Sequence, residues 1–333
     1  MKKISIMAAA LLLLGGRAGA QPMDLVVVAN KQAATVSLLD AQTGRAVATL
    51  PVGVGPHEVA TSADGRWAVV SNYGAQTPGN SLTVIDLDSR SVTRTIDLGE
   101  YRRPHGMAFI PGTMRLVVTS EASQNVVVVD VAEGRVERAI PTGQRGSHML
   151  AMTPDGSRAF TANIPDGTIS EVDLRSGERV RTSGPLARVT EGIAISPDGR
   201  RLWLGSNQDH TVTVVNAATL TATDTLLAPG FPYRAVVSAD GRRVVVPNPM
   251  ANLVRVFDAE ALRETAAIQI PAREGAAEGG SPVGVAVSPD GRRAFVSLQG
   301  FNQVGVIDLD RGVITAYWDV GDGPDGIAYA ARR

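Results

Sequence analysis

The chain has 333 residues, 44% of them hydrophobic and none of them cysteine, and a formal net charge of −1. That length suits one large β domain or two smaller ones, and the missing thiol excludes disulfides, iron–sulfur clusters, covalently attached haem, a cysteine-linked lipid and a thiol nucleophile. Near-neutral charge with scattered arginines gives no electrostatic basis for nucleic acid or an anionic membrane as the main partner.

The first twenty residues read as a secretory signal. Lys2 and Lys3 supply a positive start, Ile4 to Leu14 an apolar run, and Ala18-Gly19-Ala20 a small-residue cleavage site. The apolar run is too short to span a bilayer comfortably, and no later stretch is long and uncharged enough to do so. Cleavage after Ala20 predicts a periplasmic or secreted protein without a membrane span. It removes three positive charges, Lys2, Lys3 and Arg17, and takes the formal charge from −1 to −4.

From Asp24 onward one unit of four short β-type runs recurs. Its clearest copy begins at Val189, where GIAIS and RRLWLGS flank Pro197-Asp198-Gly199, the chemistry of a tight hairpin turn. Two β-branched runs follow, TVTVVN at 211–216 and TATDTLL at 221–227. The third run of successive units ends at Asp40, Asp86, Asp130, Asp173, Asn216, Asp258 and Asp308, at intervals of 46, 44, 43, 43, 42 and 50 residues. This is the period of propeller blades. The second runs end in a matching way, as VVAN30, VVSN72, FTAN163, LGSN207 and VVPN248, with VVTS120 and FVSL298 as weaker copies.

The mature N-terminus opens with a second-type strand, Asp24 to Asn30, whereas Pro324 to Ala330 is a lone first-type strand. One blade is therefore assembled from both termini, a clasp that removes an open sheet edge. The predicted architecture is all-β: residues 21–333 as a single seven-bladed β-propeller with four antiparallel strands per blade. The PDG turn followed by a β run ending in Asn resembles the YVTN β-propeller repeat family, over about residues 24–331. The resemblance implies an exported propeller and no particular activity, because the roles of that family are diverse.

Loops leading into the first strands and loops joining second to third strands share one face, here called the top. Both departures from the repeat length fall there, at 73–81 and in the Gly-rich stretch 272–281, and length variation of this kind often carries function. Aligning the lead-ins GPHEVA, RPHGMA, GSHMLA, VTEGIA, FPYRAV, SPVGVA and GPDGIA gives His57, His105, His148, Glu191, Tyr233, Val283 and Asp325 at one position. Ring closure sets Asp325 beside His57, so five consecutive blades present Asp, His, His, His and Glu. Three of the four histidines occupy this slot; the fourth, His210, is predicted in a top loop. Imidazoles and carboxylates converging in this way are ligands for a divalent transition metal, with Zn, Cu, Ni, Mn and Fe all admissible. The competing reading is a wet pore mouth lined by residues inherited from one ancestral repeat, which does not easily supply Glu191 or Asp325.

A second set comprises Arg102, Arg103, Arg145, Arg188 and Arg234, with Tyr73, Tyr101, Phe231 and Tyr233 as stacking surfaces. Guanidinium groups around a pore suit a carboxylate or phosphate ligand; alternatively they form a solvated rim offsetting Glu58, Glu100, Glu191 and Asp325. Trp67, Phe160, Trp203 and Phe295 are expected in the core between blades. GxSxG, GxxxxGKS and HExxH patterns are absent from the sequence, and the Asp-Gly pairs sit at hairpin turns without calcium-loop spacing.

The leading expectation is a monomeric, exported binding or interaction module whose top-face pore mouth takes a small molecule, a metal or a protein partner. The runner-up is a metal-assisted lactonase or lyase-type enzyme. There His57, His105 and His148 hold the ion with Glu191 or Asp325, and the spare carboxylate acts as general base. A rigid structural partner in an envelope complex is the third class.

Overall fold

The computed structural model describes residues 23–272 and 279–332. The signal-peptide reading of residues 1–20 and the centre of the Gly-rich stretch, 273–278, lie outside the described residues. What is described forms seven four-stranded antiparallel sheets. Blade 1 consists of Pro56–Thr61, Trp67–Gly74, Pro78–Asp86 and Ser91–Asp97. Blades 2 to 6 begin at Pro104–Phe109, Ser147–Met152, Ile193–Ile195, Val236–Val237 and Pro282–Val287. In blade 7 the inner strand Pro324–Ala330 precedes Leu25–Asn30, Thr35–Asp40 and Ala46–Pro51 in the sheet.

That last sheet closes the ring as the termini predict. Leu25 pairs with Ala330 and Asn30 with Pro324, and the Tyr329 hydroxyl donates to Asp24 Oδ2 at 2.7 Å. The repeat also explains itself locally. Asp40 Oδ1, at the end of a third strand, accepts the amides of Gln42 and Thr43 at 2.8 and 3.0 Å, which fixes the turn into the fourth strand. Asp86, Asp173, Asn216, Asp258 and Asp308 do the same. At the second-strand ends, Asn30 Nδ2 donates to Thr35 and Ser37, Asn72 to Ser81 and Thr83, and Asn163 to Thr168 and Ser170. In blade 4 the register differs from the sequence alignment. Ser206 faces Thr211 as Asn30 faces Thr35, so Asn207 is one residue beyond the strand end.

Adjacent blades pack through alternating apolar side chains. Val69, Leu82 and Ile96 of blade 1 meet Leu116 and Val127 of blade 2, each contributing about 1.5–3 kcal/mol by leaving water. Phe160, Trp203 and Phe295 are buried as predicted. Trp67 differs: it opens its strand and is only half-buried, with the Arg66 guanidinium 5.0 Å above its ring.

Candidate functional site

The top of each inner strand is built to aim side chains at the axis. In blade 1, Pro56 pairs with Asn72 but Val59 with Val70, so His57 and Glu58 together oppose Ser71. This is a β-bulge, which redirects side chains, and the Glu58 amide donates to Ser71 Oγ at 2.9 Å. The same register shift occurs at His105 and Gly106, His148 and Met149, Val283 and Gly284, and Asp325 and Gly326. Glycine recurs at the second bulge position because neighbouring inner strands nearly touch there: a Cβ on Gly326 would lie 2.2 Å from the His57 carbonyl oxygen. Where that position is Glu58 or Arg234, the long side chain enters the bore instead.

A second ring of residues joins the first. Near the end of the second strand in blades 7, 1 and 2, an amide is donated to the carbonyl just before the neighbouring first strand: Lys31 to Gly323, Tyr73 to Gly55 and Glu121 to Arg103. These carbonyls belong to residues in the left-handed region, φ +63°, +60° and +56°. Lys31, Tyr73 and Glu121 thereby come alongside Asp325, His57 and His105, and Asn207 reaches Glu191 through its side chain. The sequence reading placed Tyr73 on the top face but left out Lys31, Glu121 and Asn207 as site residues. Their common position, one past the second strand, was the signal that could have found them.

The structure brings together His57, His105, His148, Glu191 and Asp325, all buried. Ring centroids are 4.2 Å apart for His57 and His105 and 3.6 Å for His105 and His148. His57 is flanked by charge: Nδ1 lies 2.8 Å from Asp325 Oδ2 and Nε2 3.3 Å from Lys31 Nζ, which is itself 3.1 Å from Asp325 Oδ2. His105 is different. It is fully buried, and neither ring nitrogen has a hydrogen-bond partner among the described residues. His148 Nδ1 also lacks one; a Glu191 oxygen stands 3.8 Å from it, and a Glu121 oxygen stands 4.0 Å from Nε2. Two sets place one donor atom each within 4.8 Å of the others: His57, Glu58 and His105, and His105, Glu121 and His148.

Electrostatics follow from burial and neighbours. Burial, reinforced by positive neighbours, pushes the imidazoles of His105 and His148 well below the ordinary histidine value, so both are neutral. Burial lifts Glu191 to about 7 against the pull of Arg234; its Oε2 accepts from Asn207 at 3.0 Å. Burial alone would raise Asp325 as well, but His57, Arg234 and Lys31 overcome it and hold the carboxylate ionised. Tyr73 donates to Glu121 Oε2 at 2.8 Å, and burial raises its hydroxyl above the usual tyrosine value.

The arginines separate into two groups. Arg234 is not on the rim: it is 5% exposed and reaches from blade 5 to Glu58 of blade 1, through both Nε and Nη2, and to Asp325 of blade 7 at 3.0 Å. Tyr233 stacks on its guanidinium at 4.6 Å. Arg145 and Arg188 are exposed and pair with Asp166 and Asp209 at 2.8 and 3.3 Å, as a solvated rim does. Arg102 is exposed, and Arg103 lies 4.6 Å from the Tyr73 ring centre while donating to the Ala75 carbonyl. Val283 contributes no polar group, Tyr101 packs against the core between blades 1 and 2, and His210 is exposed outside the cluster.

Seven four-stranded sheets, the last joining strands from both ends of the described chain, define the class: a seven-bladed β-propeller. Within it, the model of the YNCE-like beta-propeller family matches residues 8–115, about the first third of the chain. Among solved structures the chain is similar to one titled hydrazine synthase, from Kuenenia stuttgartiensis. The TM-score is 0.71 at 21% identity, covering 84% of this chain and 90% of that one, a likeness of fold alone. No curated protein matches the sequence.

Proposed function

We propose that this chain is an exported binding module of the YVTN-repeat type whose upper bore holds a divalent transition-metal ion. One observation carries the reading: among the described residues nothing partners either ring nitrogen of the fully buried His105, which packs on His148, or Nδ1 of His148. Each such nitrogen costs about 1–3 kcal/mol when left without a partner, and a coordinated ion supplies one. The imidazoles are already neutral, as coordination requires. His105, His148 and Glu121 are the compact ligand set, and His57 joins them once the Lys31 ammonium moves aside. Glu58, Glu121 and Asp325 supply negative charge around Arg234 and Lys31, which suits an added cation.

Elemental analysis of mature protein purified without chelator or histidine tag tests this. About one equivalent of metal is expected, lost in a His105→Ala, His148→Ala variant. No stoichiometric metal, together with no rise in melting temperature across a panel of divalent ions, would refute it.

Glu191 favours the second reading, metal-assisted ester or lactone hydrolysis. A carboxyl lifted to about 7 and 3.8 Å from His148 is suited to take a proton from water at neutral pH. Turnover of a lactone panel by metal-loaded protein, abolished in Glu191→Gln with metal content unchanged, separates an enzyme from a binding module.

A further inference from the structure

We propose that the lower bore is a second, separate site, which takes a neutral small organic molecule with an apolar body. Toward the face opposite the histidines lies a cavity of about 770 Å³ whose wall includes Val59, Met107, Phe109, Val236, Val285 and Tyr329. These side chains come from five of the seven blades, carry no charge, and except for Val285 are partly exposed. The volume lies within the roughly 300–1,000 Å³ of small-molecule pockets. These side chains present mostly carbon, so an apolar guest that displaces water from them is favoured.

The fold also argues against a protein segment as occupant. Arg234 ties blade 5 to Glu58 of blade 1 and Asp325 of blade 7, at the register step between His57 and Val59. A peptide entering from below would have to break this buried bridge to thread the bore. The inner strand of each sheet is terminal, so one edge of its backbone N–H and C=O groups is unpaired within the sheet and faces the bore. A guest with one or two hydrogen-bonding groups on an apolar body matches that wall. Asp64 on the lining is held ionised by the Ser62 hydroxyl and the Arg66 amide, which disfavours an anion.

The test is a fluorescence titration of the mature protein with the neutral probe N-phenyl-1-naphthylamine. Saturable enhancement at one site per chain is expected. Met107→Trp and Val285→Trp, which fill the cavity, should each weaken binding about tenfold or more, with folding verified by circular dichroism and melting temperature. Phe109→Ala serves if both filling variants unfold, since it removes an aromatic wall from a partly exposed position. The His105→Ala, His148→Ala variant should bind the probe as the parent does, whatever its metal content. An unsaturable signal, unchanged affinity in the cavity variants, or loss of the probe in the histidine variant would each overturn the proposal; only metal content bears on the upper-bore reading.

Discussion

Two sides of one ring solve the burial of polar groups differently. Around blades 7, 1 and 5, every buried acid is met by a base: Asp325 by Lys31 and Arg234, and Glu58 by Arg234. Around blades 2 and 3, His105 and His148 are also buried, yet three of their four ring nitrogens have no hydrogen-bond partner among the described residues. On the first side the buried charges are paired with one another, although Arg234 Nη1 has no hydrogen-bond partner among the described residues. The second carries an uncompensated desolvation cost. A repeat that supplies equivalent backbone to every blade thus leaves one half of the ring with paired charges and the other with unpartnered imidazole nitrogens, through side chains alone.

Substitutions on the two sides should therefore behave differently. His105→Ala should lower metal content from about one equivalent to near zero, whereas His57→Ala should weaken affinity by about tenfold and preserve stoichiometry at saturating metal; equal losses would erase the distinction. Arg234→Met leaves Glu58 and Asp325 buried without their shared partner and should cost about 3–5 kcal/mol in urea unfolding. Adding Glu58→Gln and Asp325→Asn should recover most of that loss, and failure to recover would mean the bridge is not what Arg234 supplies. Lys31→Met removes a partly exposed ammonium beside His57 and should tighten metal binding by about tenfold, measured by chelator competition. Weaker binding would place Lys31 among the supports of the site.

The smallest effect is a control from the hairpin turns, away from the histidines. Asp64, Asp155, Asp198, Asp240 and Asp290 are held below the usual carboxylate range by a Ser or Thr hydroxyl and by backbone amides, Asp155 at about 2. Their folded values lie below their unfolded ones, so their contribution to stability is fully present above about pH 4 and fades as pH falls toward 2. Replacing Asp155 by Asn should flatten that acid limb of the stability curve slightly and leave metal content unchanged.

Much of the architecture is legible in the residues. Seven third-strand caps, the DG turns and the mismatched termini predict blade count, strand order and the closing pairing of Leu25–Asn30 with Pro324–Ala330, because each depends on contacts within one unit or on a simple count. The slot alignment from His57 to Asp325 also survives, since the bulge and its glycine are part of the repeat. Reading Arg234 with Arg145 and Arg188 as one rim set does not survive. Arg145 and Arg188 stand three residues before the slot and face solvent, whereas Arg234 stands one residue after it, as Glu58 does, and crosses the bore. Lys31, Glu121 and Asn207 escape because their role depends on contacts with a neighbouring strand: the Lys31 and Glu121 amides meet its carbonyls, and the Asn207 side chain meets Glu191.

Sequence alone determined the number of blades, their turns and the level at which the histidines stand, because hydrogen bonds within a unit and the alternation of apolar residues act over a few residues. The pairing of charges across the axis was decided only by tertiary structure. Glu58 and Arg234 are 176 residues apart, and their attraction becomes strong only after the closed ring has excluded water from the space between them.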